Sequence, residues 1–316
     1  MSDHKPDQVP DSRAMTSGRI YVAGGFLLAV LVFGVVVTAL NPGTFSTYGG
    51  SGIVTGEWTS RYQSGYEEGL LIREPSSHVW AFIRYALFRE GRPGVVVGED
   101  GWLFTDEEFR YYEDEPEQLD RWLDYVVVVR DRLRERGIRL VVALVPAKAR
   151  IHSHSLGWAR LPAYTRDRYE TFRAALLEND IPAPDLLTPL EASEKPPFLR
   201  TDTHWSPHGA LLGARALEPA LRASLEETGA QRREFAREEG ERVVHEGDLL
   251  TFIPLGPLMD AFGPEPDAFR RPVTSAVEEP DVGLFGDLTI PITLVGTSYS
   301  AGELWDFAGA IRATVD

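Results

Sequence analysis

The chain has no cysteine among its 316 residues, which excludes disulfides and thiolate metal sites. The absence says nothing against export, because it only removes disulfides as a sign of it. Lysine is scarce too, confined to Lys5, Lys148 and Lys195, so arginine carries almost all of the positive charge. The formal net charge is −16, and no basic stripe of the kind that marks a nucleic-acid binder is present, so a nucleic-acid partner is excluded. No internal repeat is found. Beyond residue 40 no uncharged run is long enough to span a bilayer; Val126 to Val129 is a short core segment. What is there is a 43% hydrophobic composition, enough to bury a full core, in a length suited to one large α/β domain or two small ones.

The N-terminus bears on compartment. Residues 1–19 are polar and carry Lys5, Arg13 and Arg19; Ile20 to Leu40 then runs uncharged for 21 residues and stops at Asn41-Pro42-Gly43. A bilayer core takes about 20 apolar residues in a helix. The apolar region of a cleaved signal is typically about 7–15 residues, so this run is too long for one and reads as a signal-anchor. The alternative is cleavage at a small-residue site near Ala39. Basic residues flank only the N-terminal side, which predicts a cytoplasmic tail over 1–19 and a single transmembrane pass over 20–40. A Gly-, Ser- and Thr-rich linker over 41–65 and a domain over 66–316 would then lie outside the inner membrane, in the periplasm of a Gram-negative cell.

Hydrophobic periodicity predicts an α/β fold. Residues 67–90 read as helix, and residues 95–104 as strand, Asp-Gly turn, strand. Residues 116–136 read as a long helix stopped by Gly137. Ile138 to Val145 is a continuous apolar run, as expected of a parallel strand buried on both faces. A helix over 163–179, a short strand over 181–187 and a helix over 209–225 follow, the last kinked or broken at Pro219. Residues 229–245 are charged and expected to be exposed, 250–287 to form an irregular lid, and 288–295 a last strand leading into Ser298.

Two segments carry the chemistry: Asp202-Thr203-His204-Trp205 and Gly296-Thr297-Ser298-Tyr299-Ser300. A serine hydroxyl is a weak nucleophile. It needs an imidazole to take its proton, and a carboxylate to fix the imidazole's tautomer. Asp202, His204 and Ser298 supply all three, in the order acid, base, nucleophile. Parallel sheets place active sites beyond the carboxyl ends of their strands. A serine between strand and helix also lies near free backbone N–H groups that stabilise an oxyanion. Gly296 permits a tight turn there, and the Tyr299 N–H is an oxyanion candidate. Each segment alone also fits a plain turn or a polar loop. A metal site built on Asp202, His204 and His208 is the functional rival. Pro207 sits between the two histidines and starts the helix only there, so no metal is expected. Trp102 and Trp205 offer rings for stacking on a sugar, or core aromatics. Lys148, after the apolar run, points toward the site or into solvent.

Taken together, the segments resemble the SGNH-like acetyltransferases of the alginate O-acetylation type, the AlgX/AlgJ family. The hallmarks are Asp-x-His-Trp and a later Gly-x-Ser-[Tyr/Phe]-Ser. Further matches are Gly98-Glu99-Asp100-Gly101-Trp102-Leu103-Phe104, Val145-Pro146-Ala147-Lys148 and Gly247-Asp248-Leu249, so the resemblance runs from about residue 93 to the end. It implies a circularly permuted SGNH-hydrolase fold, a parallel sheet flanked by helices, with Ser298 as nucleophile, His204 as base and Asp202 as orienting acid. It also implies an acetyl-serine intermediate, an exopolysaccharide acceptor, a membrane-bound O-acyltransferase supplying acetyl groups, and no soluble cofactor. Family members continue well past the serine, whereas 18 residues follow here (316 − 298), so a shortened domain is expected. An acetylesterase with the same triad, and a degenerate scaffold that binds polysaccharide, remain open as alternatives. The strong acidity counts against a polyanionic substrate such as alginate; a local patch of Arg150, Arg160 or Arg166 could still bind one, and a neutral exopolysaccharide is equally open.

Overall fold

The structure is a computed structural model that describes residues 25, 28–36, 40, 52–60, 63–64, 73–226, 233–277 and 291–315. Two compact units divide the chain, Met1–Val79 and Trp80–Asp316. In the first, residues 28–36 are helical. No helix among the described residues is long and apolar enough to cross a membrane. The rest of the 20–40 span, the 1–19 tail and most of the 41–65 linker lie outside the described residues.

Helix α1 (Arg73–Ile83) occupies part of the helical stretch expected over 67–90. The Asp-Gly turn is where the sequence put it. Strands β1 (Val95–Val97) and β2 (Leu103–Thr105) pair antiparallel. Asp100 and Gly101 between them both have positive φ, 51° and 77°, as a tight hairpin turn demands. Buried Val97 and Leu103 pack against Leu249, Ile253 and Leu255.

Helix α2 (Glu115–Arg134) starts with Pro116 in its first turn and ends in Arg132 and Arg134, which complement its dipole. Leu123, Val126 and Val127 turn its apolar face to Leu176, Ile181 and Ala183. Within the run 138–145, residues 140–145 are half-buried between that cluster and the main core, while Ile138 is exposed. Leu140 and Val142 join that cluster, while Val141, Ala143 and Val145 pack on the main core.

The expected parallel sheet is corrected. Among the described residues the sheets are two antiparallel pairs, β1–β2 and β3 (Phe235–His245) with β4 (Asp267–Ala276). Residues 138–145, 181–186 and 291–296 lie in no ladder; Val142 N–H donates to Pro182 O (2.9 Å), tying the first two together. Pro182 and Pro184 have no N–H to give, and Pro291 opens the described part of the third segment, so a regular ladder is chemically interrupted. Residues 288–290 lie outside the described residues.

Helix α3 (Arg168–Glu178) follows a short turn, Ala163–Arg166. Helix α4 (Pro207–Glu226) begins at Pro207, with Ser206 capping it: the Gly209 N–H donates to Ser206 Oγ (3.2 Å). It runs unbroken through Pro219, where a kink or break was expected. Helix α5 (Phe307–Val315) packs on it, with Phe307, Ala310 and Ile311 against Ala210, Ala214 and Leu217.

One further expectation is overturned. The charged segment before His245 is strand β3 (Phe235–His245), whose residues are exposed or half-buried as expected. The supposed irregular lid contains its partner β4 (Asp267–Ala276), and the two make an antiparallel ribbon. The ribbon's burial alternates only weakly, because both strands carry charge on solvent-facing positions. Residues 278–287, the end of the supposed lid, lie outside the described residues.

Candidate active site

The chain around Asp202 is fixed by hydrogen bonds at almost every polar atom. Asp202 Oδ1 accepts the backbone N–H of His204 two residues on (2.9 Å), an Asx-type turn that aims the imidazole back along the chain. Thr203 N–H donates to Asp248 Oδ1 (2.8 Å), and the Tyr299 hydroxyl donates to Thr203 O (2.8 Å). Lys148 Nζ donates to Asp202 O (2.8 Å), Arg200 O (3.1 Å) and Leu103 O (2.5 Å). Just upstream, the Asp267 carboxylate takes the N–H groups of Arg200 and Thr201, each at 2.8 Å.

On this frame the three sequence-predicted residues come together. His204 Nδ1 lies 2.6 Å from Asp202 Oδ1, and His204 Nε2 lies 2.7 Å from Ser298 Oγ. A carboxylate can only accept, so Nδ1 carries the proton and Nε2 turns a lone pair to the serine hydroxyl. Asp202 is 3% exposed. Burial pushes its carboxyl up, but the ring and backbone of His204, His245 and the Asp248 N–H outweigh that and hold it well below the usual carboxylate range. Ser298 is exposed and opens a helical turn, Ser298–Ala301. Among the described residues no hydrogen bond engages the backbone N–H of Ser298 or Tyr299, while the next two N–H groups turn back to Thr297 O.

The His204 ring is held from its face. Trp305 stacks on it with centroids 4.5 Å apart at 16°, and Trp305 Nε1 donates to Tyr299 O (2.8 Å). Tyr299 leans on the same imidazole at 4.9 Å. Burial first, then the carboxylates of Glu108, Asp202 and Asp248, raise the Tyr299 hydroxyl's pKa, so it stays a donor.

The accessory residues depart from expectation. Trp205 is 1% exposed, packed on Phe307 and edge-on to Tyr299, so its ring belongs to the core and not to a sugar-stacking face. Lys148 is 1% exposed; burial lowers its ammonium to about 7, against the pull of Glu108 and three aspartates. It braces the Asp202 segment from behind. Gly296 is not in the left-handed region. A Cβ there would sit 2.3 Å from Ser300 Oγ, so the Ser300 hydroxyl would have to rotate away. Arg150 is paired with Glu170 and Glu191, which removes it from the expected polyanion patch.

His208, the rival metal ligand, bonds Ser193 Oγ (2.9 Å) instead. Asp202, His204 and Asp248 do offer ligand atoms within 4.8 Å of one another. The His204 nitrogen on that side is the one already bonded to Asp202, so a metal would have to displace the triad's own proton.

Sequence reasoning missed three members of the site. His245 Nε2 donates to Asp202 Oδ2 (2.7 Å), yet it ends a segment that read as exposed and charged. Trp305 gave no signal beyond being a tryptophan. Asp248 lay within a segment noted for its resemblance, without a role; its N–H also donates to Asp202 Oδ2 (3.1 Å).

Comparison with known proteins places the chain in a family. Residues 95–316 match the family described as "SGNH hydrolase-like domain, acetyltransferase AlgX". The chain is 38% identical over 298 residues to a probable alginate O-acetylase AlgJ of Pseudomonas fluorescens, covering 93% of this chain and 75% of that one. It is 37% identical over 315 residues to the corresponding protein of Pseudomonas aeruginosa, covering 95% and 78%. The solved O-acetyltransferase domain of Pseudomonas putida AlgJ is 38% identical and superposes with a TM-score of 0.62, covering 71% of this chain and 77% of that one.

Proposed function

The chain belongs to the acetyltransferase AlgX family of SGNH hydrolase-like domains, and on that premise we propose that it transfers acetyl groups, through an acetyl-serine, to hydroxyls of an exopolysaccharide, alginate or one like it. The observation that carries this reading is the hydrogen-bonded line Asp202–His204–Ser298, with links of 2.6 and 2.7 Å. His204 Nε2 takes the Ser298 proton as Oγ attacks the acetyl carbonyl. The negative oxygen that forms is met by the unengaged N–H groups of Ser298 and Tyr299. His204 returns the proton to the leaving group, and Asp202 stabilises the imidazolium in between. A sugar hydroxyl then gives its proton to His204 and attacks the acetyl-serine; His204 passes that proton to Ser298 Oγ as the acyl bond breaks, releasing the acetylated glycan and free Ser298.

Around this centre we place a donor delivered by a membrane-bound O-acyltransferase and an inner-membrane anchor over residues 20–40, with the domain in the periplasm. The support for the anchor is the 21-residue uncharged run and its N-terminal basic flank. Fractionation of the full chain with membranes, its N-terminus retained, is the expected outcome; a mature form starting near Leu40 argues for a cleaved signal.

The chemistry uses imidazole, carboxylate and hydroxyl alone, so dialysis against a chelator should leave activity unchanged. The decisive experiment incubates purified protein with a chromogenic acetyl ester and an oligosaccharide acceptor. Acetylated oligosaccharide and a trapped acetyl group on the Ser298 peptide are expected. Acetate release with no glycan product would indicate an esterase, and undiminished turnover by Ser298→Ala would end the covalent-serine reading.

A further inference from the structure

Asp202 accepts four hydrogen bonds, two on each oxygen. Oδ1 takes the backbone N–H (2.9 Å) and ring Nδ1 (2.6 Å) of His204; Oδ2 takes His245 Nε2 (2.7 Å) and the Asp248 N–H (3.1 Å). One buried carboxylate thus joins two imidazoles, one of which the proposed reaction does not use. His245 is the last residue of β3 and pairs in register with Asp267 of β4. Asp267 in turn holds the backbone of Arg200 and Thr201, immediately before Asp202. The Phe269 ring stands against His245 at 6.3 Å. The ribbon therefore grips both the chain entering Asp202 and the side chain bonded to its second oxygen.

We propose that His245 is a positioning residue for the triad, a role that rests on the catalytic reading of Asp202, His204 and Ser298. Because a carboxylate only accepts, His245 must present Nε2–H to Oδ2. That bond stops the carboxylate rotating about its Cβ–Cγ bond and keeps Oδ1 on the His204 proton. Without it, Oδ2 of a carboxylate that is 3% exposed keeps a single backbone donor. The carboxylate is then free to turn toward new donors, and His204 loses the partner that fixes its tautomer. His245 takes no proton from substrate and touches neither Ser298 nor the reacting atoms; it acts through Asp202.

The test compares His245→Phe, which keeps a ring but removes the donor, with His245→Gln, whose amide N–H stands near the lost Nε2–H. Ser298→Ala is run beside them, and thermal unfolding reports whether each variant is folded. His245→Phe should lower kcat roughly 10–100-fold, the scale seen when the partner orienting a ligating histidine is removed. KM should stay within about twofold, since no substrate contact is lost. The downfield proton NMR signal of the His204 Nδ1–H should weaken or vanish, and His245→Gln should recover most of both. Wild-type kcat in His245→Phe overturns the proposal, as does equal impairment of a folded Gln variant. If His245→Phe does not fold, His245→Glu against His245→Gln makes the same comparison at nearly equal size, with loss expected only in Glu. Full activity in Ser298→Ala would instead mean that the underlying catalytic reading has failed.

Discussion

His204 and Ser298 stand 94 positions apart in the chain and meet with Nε2 2.7 Å from Oγ. The contact is a product of helix packing. His204 lies just before α4 and Ser298 shortly before α5, and the two helices bury Ala210, Ala214, Leu217, Phe307, Ala310 and Ile311 against each other. Groups joined this way act as one unit. Ser298→Ala, His204→Ala and their double variant should therefore fall to the same residual activity, because either loss alone already disables the unit. Asp202→Asn should lose roughly 10⁴-fold, the scale seen when a triad aspartate can no longer fix the tautomer. Initial rates with a chromogenic acetyl ester check both; losses that multiply in the double variant would contradict the shared role.

Trp205 should behave as a core residue. Its ring is fully enclosed, and among the described residues its Nε1 has no hydrogen-bond partner. Trp205→Phe should be close to neutral for stability and leave the acceptor KM unchanged. Trp205→Ala should cost about 3–5 kcal/mol, as cavity-forming removals of large aromatics do. Denaturant titration measures the stability of both variants, and acceptor kinetics on the Phe variant would expose any sugar-stacking role.

Lys148 gives the protein a stability dependence on the alkaline side. Burial lowers its ammonium to about 7 from the ordinary 10.5. Between those values the unfolded chain holds the proton and the folded chain does not, so unfolding takes up a proton and rising pH opposes it. This group's penalty is full below pH ~7 and is relieved as pH climbs toward ~10.5. The unfolding free energy of wild type should therefore rise relative to Lys148→Met across that window. Lys148→Met should also lose activity, because Asp202 O loses its brace. A gap between the two proteins that stays constant with pH would refute the assignment.

His152 is 4% exposed, lies tilted against Trp102 with centroids 4.0 Å apart, and has no partner for either ring nitrogen among the described residues. Burial first, then Lys148 and His154, lowers it to about 3, so it is neutral at working pH. Buried unpaired polar atoms cost about 1–3 kcal/mol each, whereas an apolar ring of similar shape avoids that. His152→Phe should raise the denaturation midpoint and leave kcat unchanged. A fall in midpoint would indicate that the imidazole is bonded in solution.

The parts of this protein that could be read from its sequence are local ones. Asp100-Gly101 names its own turn, since both residues tolerate positive φ. Pro116 and Gly137 bracket α2 because one suits a helix start and the other its end. Asp202 and His204 are two residues apart, close enough for the side chain of one to bond the backbone of the other. Where strands were misjudged, the apolar pattern was real but Pro182 and Pro184 removed the donors a ladder needs. The ribbon was hidden because charge fills the middle of Phe235 to His245, from Arg237 to Arg242 with only Gly240 between, and breaks any apolar alternation there.

Other assignments needed the folded chain. Trp205 follows His204, yet in the extended bridge to Phe198 successive side chains face opposite ways. The imidazole therefore goes to the site and the indole to the core, and Trp305 supplies the ring that stacks on His204. The sequence by itself determined the kinds of chemical group available and the turns that present them, because covalent geometry constrains partners only a few residues apart. Tertiary structure alone decided that Asp202 bonds His245, 43 positions away, and that His204 reaches Ser298. Loops that long close at almost any length for similar entropy, so burial of the shared core, and not spacing along the chain, selects which donor meets which acceptor.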